Sequence, residues 1–168
     1  MVNRPPRFPE FDYKGFNRYF LTVCVNQRAP IFLDVELGRC LAGHFLPIAA
    51  TFDFEVIAYC IMPDHFHILV GGNTDDCELM PFMHRWKQVT GYWWKHELRH
   101  QTRLWQKGYY DRILRDSDST EGVMRYILEN PVRAGLVEDV RDYPLIGATH
   151  YDIDVLLESA ISWRPSWK

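Results

Sequence analysis

An α+β fold built around an antiparallel sheet is the class this sequence predicts, on three observations. Four short runs rich in β-branched and aromatic residues have strand length. Two longer segments between them repeat apolar residues at helical spacing. The two kinds alternate as β-α-β-β-α-β and a third helix follows, which is the split, ferredoxin-like arrangement.

Residues 1–16 contain proline and arginine and read as an irregular arm without the apolar stretch of a signal peptide. Residues 19–26 (YFLTVCVN) read as the first strand. Asp34 is placed to cap a helix over 35–50, whose Leu37, Leu41, Phe45 and Ile48 share a face. Residues 54–62 form the second strand, and Pro63-Asp64 is turn chemistry that hairpins it onto a third carrying His65 and His67. A long helix is predicted over 76–100, with Leu79, Phe82, Met83, Trp86, Val89 and Trp93 in one stripe and Gly91 as a weak point. Residues 104–114 read as the fourth strand, Gly108 being a candidate bulge. Ser117 or Ser119 can cap a third helix reaching Asn130, after which Pro131 ends it or opens a short successor closing near Gly135. The stretch after Val140 has two apolar patches and no period. The organisation predicted is an arm (1–16), one catalytic domain (17–140) and a C-terminal tail (141–168).

The 168 residues are 47% hydrophobic, which suits one globular domain and argues against disorder. No run of eighteen apolar residues exists, so no membrane helix is expected. The four cysteines (Cys24, Cys40, Cys60, Cys77) lack CxxC spacing, which points to reduced thiols and a cytoplasmic protein. Net charge is −3, yet residues 84–115 hold 8 Lys+Arg against 2 Asp+Glu, interleaved with tryptophan and tyrosine. Cations beside aromatic rings suit single-stranded nucleic acid, and equally suit a solvated helix face over core tryptophans.

Side chains on a strand alternate, so His65 and His67 point to one face and Phe66, Ile68 and Val70 to the other. Two adjacent imidazoles can ligate one divalent metal or be ordinary structural histidines. Tyr126 and Asn130 stand four apart on a helix and share its face. Tyr126 reads as a core residue or a nucleophile, Asn130 as an N-cap or a ligand, and Glu129 as a solvated residue or a substitute ligand. Asp64 could orient an imidazole.

The segment Tyr59-Cys60-Ile61-Met62-Pro63-Asp64-His65-Phe66-His67-Ile68-Leu69-Val70 resembles the histidine–hydrophobe–histidine (HUH) motif of single-strand DNA transposases. Residues 104–112 (LWQKGYYDR) and 126–136 (YILENPVRAGL) also resemble that superfamily, most closely its REP-associated tyrosine transposase branch. The resemblance covers about residues 17–137 in order and spacing. It implies a ferredoxin-like fold, a single catalytic tyrosine at Tyr126, and a divalent metal held by His65, His67 and Asn130. It also implies a single-stranded DNA substrate bearing a hairpin, and action as a monomer, with a dimer left open because some members of the superfamily place the tyrosine of one subunit in its partner's site.

The residue chemistry then predicts metal-assisted attack by Tyr126 on a phosphodiester, leaving a 5′-phosphotyrosine. Mixed nitrogen and oxygen ligands suit Mg²⁺ or Mn²⁺. Arg85, Lys87, Arg112 and Arg115 are expected to contact the DNA backbone, and Trp105, Tyr109 and Tyr110 to stack on bases. Besides a purely structural domain with core histidines, two other readings use the same residues. One is a hairpin-binding protein without turnover; the other is a phosphodiesterase that activates water instead of tyrosine.

Overall fold

The computed structural model describes residues 12–115 and 118–162. Ser117, most of the N-terminal arm and the last six residues of the expected tail lie outside them. Five strands, β1 (Arg18–Cys24), β2 (Phe54–Met62), β3 (His65–Gly72), β4 (Tyr110–Leu114) and β5 (Ile146–Gly147), form one sheet in the order β4-β1-β3-β2-β5. Every pairing is antiparallel. The first four strands carry the predicted ferredoxin-like topology.

Alternation along β1 and β3 divides the core in two. Tyr19, Leu21 and Val23 of β1 and Phe66, Ile68 and Val70 of β3 face α1 (Val35–Thr51) and α2 (Leu79–Tyr92). Phe45, Phe66, Phe82 and Trp86 interlock there with ring centroids 5.1 to 5.8 Å apart. Burying each such ring stabilises the fold by roughly 1.5–3 kcal/mol. Asp34 caps α1 as its position predicts, its carboxylate accepting from the amides of Glu36 and Leu37.

The opposite face, with Ala58, Cys60, Met62 and Leu69, packs on α3 (Thr120–Leu128) through Met124, Ile127 and Leu128. Ser119 caps α3, accepting from Gly122 N–H at 3.0 Å. A short α4 (Asn130–Arg133) follows and ends at Gly135, whose positive φ of 69° suits a residue without a side chain.

Three predicted elements have different bounds. The helix expected over 76–100 is α-helical only from Leu79 to Tyr92 and widens into a π turn over Trp93–Glu97. Two adjacent tryptophans are buried in that turn, Trp93 against His44 and Trp94 stacked on His100. The fourth strand starts at Tyr110, not residue 104, because Gly108 bends the chain with φ of 76°. Residues after Val140 are integral to the domain. The Tyr143 hydroxyl donates to the Ile61 carbonyl, β5 extends the sheet edge, and α5 (Ile153–Ser162) packs Leu156 and Leu157 behind α3. No helix among the described residues is long and apolar enough to cross a membrane.

Candidate active site

The site lies where β1 ends and β3 begins. His65 and His67 project from β3 onto the α3 face, with their Nε2 atoms 3.0 Å apart and rings nearly perpendicular. Each Nδ1 is engaged. The Asp64 carboxylate accepts from His65 Nδ1 at 2.6 Å, and Thr22 Oγ1 lies 2.9 Å from His67 Nδ1. Asp64 is itself held by Arg28 Nε at 2.7 Å. The carboxylate requires the proton of His65 to sit on Nδ1, so its Nε2 presents a lone pair to the shared space.

Burial is the main cause pushing both imidazoles below the ordinary histidine range, His67 down to about 3. Neighbouring positive charge at Arg133 and Arg28 acts in the same direction on His67. Both rings are therefore neutral at pH 7, the form that binds a metal.

This pair fits a hard divalent cation. Two ligands about 2.1 Å from one octahedral ion, at right angles to each other, stand about 3.0 Å apart. The Asp64–His65 pair is also the usual outer support of a metal-bound imidazole. No third His, Cys, Asp or Glu joins them among the described residues; a cation held here would need a further ligand of another type, such as an amide.

Tyr126 sits over the pair. Its ring centroid is 5.9 Å from that of His67 and 5.8 Å from that of Phe20, which floors the site. The residue is 47% exposed, so the phenol is open to a substrate. The Arg133 guanidinium lies 4.3 Å from the ring centroid, and its Nη2 donates to the Tyr126 carbonyl. Asn130 does not cap α4. Its Nδ2 donates to the carbonyls of Tyr126 (2.8 Å) and Ile127 (3.4 Å), and none of its hydrogen bonds reaches a histidine. The physical reason is Pro131, which has no N–H to offer the Ile127 carbonyl. With Nδ2 committed, Oδ1 is the atom Asn130 has for a cation.

The profile of the family described as Transposase IS200 like matches residues 17–130, which span both histidines, Tyr126 and Asn130. This chain belongs to that family. A REP-associated tyrosine transposase of Escherichia coli is 25% identical over 140 residues, covering 80% of this chain and 78% of the relative. A Haemophilus influenzae protein provisionally given the same name is 25% identical over 151 residues, covering 84% and 85%. The solved structure of a REP-associated tyrosine transposase bound to a REP hairpin shares the fold, with a TM-score of 0.68 and 21% identity over 84% of this chain and 82% of that one.

In this IS200-like transposase the residues expected to touch DNA divide. Tyr110 stands edge-on to Phe20 on the site face, and Arg112 lies opposite Phe20 in the β1–β4 register. Arg112 is paired with Asp118 at 2.7 Å, and that carboxyl is held below its usual range, first by the Arg115 backbone amide. Arg115 itself is exposed, and Arg85 reaches Gln88 from the surface of α2.

Two expectations are corrected, for Trp105 and Lys87. Trp105 is 5% exposed, wedged between Trp86 and Phe32 with its indole N–H on Thr90, so it offers no face to a base. Lys87 donates to the carbonyls of Gln106 and Gly108, which makes its ammonium a loop clasp rather than a phosphate contact. Tyr109 packs against the core, and its hydroxyl meets Met80 Sδ. The sequence reading missed Thr22, Phe20, Arg28 and Arg133. The first three reach the site only through strand register and a loop. Arg133 carried a signal: it sits seven residues, two helical turns, beyond Tyr126.

Proposed function

We propose that this transposase cleaves and rejoins single-stranded DNA beside a folded hairpin. Tyr126 is the nucleophile, and Mg²⁺ or Mn²⁺ is held by His65, His67 and Asn130. The observation that carries the reading is the half-exposed Tyr126 ring 5.9 Å from His67, above two neutral imidazoles whose Nε2 atoms converge. When bound, the cation would supply positive charge to a nonbridging phosphate oxygen and so polarise phosphorus.

The chain's own groups do the rest. The phenol gives its proton to solvent, and the Arg133 guanidinium lies over its ring, 4.3 Å from the centroid. The phenolate oxygen bonds to phosphorus as the bond from phosphorus to the 3′-oxygen breaks, and that oxygen leaves as a hydroxyl after taking a proton. The 5′-phosphate stays on Tyr126. Another 3′-hydroxyl can reverse the step and join new strands without a nucleotide cofactor.

Incubation with a hairpin-bearing oligonucleotide and Mn²⁺ should give an adduct that survives a denaturing gel. Tyr126→Phe should abolish it while retaining DNA binding. An adduct formed by Tyr126→Phe, or cleavage unaffected by that change, would remove Tyr126 from the role.

A further inference from the structure

We infer that Arg28 is a positioning residue for the site: it locks the Asp64 carboxylate onto His65 Nδ1 and so fixes which nitrogen of that ring faces the shared space. This role deepens the proposed function and rests on it for the cation.

Backbone strain is the first observation. Gln27 and Arg28 are consecutive, neither is a glycine, and both stand in the left-handed region with φ of 57°. Such a conformation persists only where its surroundings over-determine it, and places of this kind cluster at functional sites. The surroundings here are specific. Val25 N–H donates to the Asp64 carbonyl, Phe32 N–H to the Pro63 carbonyl and Asn26 N–H to the Leu104 carbonyl. The loop after β1 is thereby stitched to the turn that opens β3.

The second observation is what the strained turn presents. Arg28 Nε lies 2.7 Å from Asp64 Oδ2, and Oδ1 of the same carboxylate accepts from His65 Nδ1 at 2.6 Å. Arg28 Nη1 donates to Cys24 Sγ at 2.9 Å, and Cys24 stands opposite His65 in the β1–β3 register. The guanidinium fork thus has two anchors, and both oxygens of Asp64 are engaged. A carboxylate with one oxygen free can swing to another rotamer. One held at both oxygens leaves the imidazole only by breaking two bonds.

Energetics is the third. Side-chain exposure falls from 46% at Arg28 through 24% at Asp64 to 15% at His65. An ion pair whose cation is half in water adds little to stability, and the left-handed backbone works against the fold. Stability therefore does not account for the turn. Orientation does, because a metal-bound imidazole takes its tautomer and ring direction from the partner of its other nitrogen. His67 Nδ1 meets Thr22, a hydroxyl that can turn to donate or accept. Of the two rings, His65 is the one whose partner admits a single tautomer.

The test uses the full chain without DNA. In EDTA at neutral pH, heteronuclear NMR of the imidazole nitrogens should show wild-type His65 with its proton wholly on Nδ1. Arg28→Met should show both tautomers, with a melting curve close to that of the wild type. Mn²⁺ affinity, followed by EPR, should fall about 10–100-fold in Asp64→Ala and in the same direction in Arg28→Met. Because Arg28 acts through Asp64, the double variant should bind no more weakly than Asp64→Ala alone. A single His65 tautomer in Arg28→Met would overturn the role of Arg28, as would losses of Mn²⁺ affinity that add in the double variant. A wild type that takes up no Mn²⁺, with the tautomer change still present, would remove the metal from the proposed function and leave Arg28 in place.

Discussion

His67 concentrates the electrostatics of the site in one ring. Its Nδ1 meets Thr22, its Nε2 meets His65, and burial holds it neutral with a pKa near 3. A histidine whose native pKa lies below its unfolded value takes up a proton on unfolding. The stability it contributes is complete above its ordinary pKa of 6.5 and is lost as pH falls from there toward about 3. His65 is shifted in the same direction. The melting temperature of the metal-free protein should therefore decline as pH drops below 6.5, and the His67→Gln variant should decline less steeply. Equal slopes in the two proteins would show that the ring is not held neutral. From sequence, strand alternation alone put both imidazoles on one face. The distant cations that act on them could not be read there, because Arg28 and Arg133 lie far away in sequence and come near only in the fold.

At the scale of elements, the segment joining α2 to β4 departs furthest from its sequence reading. Its tryptophans and cations share one stretch, and periodicity does not say which kind faces water. The structure sends them opposite ways, with the rings inward under a π turn and most of the cations outward. Trp105 is thus structural. Trp105→Ala should cost about 3–5 kcal/mol in urea unfolding, whereas Trp105→Phe should keep both most of the stability and the affinity for DNA. A fully stable alanine variant with weakened DNA binding would return Trp105 to the interface. The helices capped by Asp34 and Ser119 and the hairpin turning at Pro63-Asp64 were legible because their signals are local. The π turn and the bend at Gly108 were not, since both answer to packing across the domain.

For the molecule as a whole, order and topology followed from the alternation of patterns, and the sheet order confirms the ferredoxin-like arrangement. The residues after Val140 escaped because β5 is two residues long and α5 finds its apolar partner only once α3 is in place. Those additions cover the back of the helix that presents Tyr126. Tyr126 and the His67 ring meet within one polypeptide. Under the proposed function, that pairing within one chain predicts no genetic complementation between subunits. Mixing Tyr126→Phe subunits with His67→Ala subunits should yield no covalent product, because neither defect can be made good by a neighbour. Restored activity in the mixture would mean that the tyrosine serves a different copy from the one that carries it.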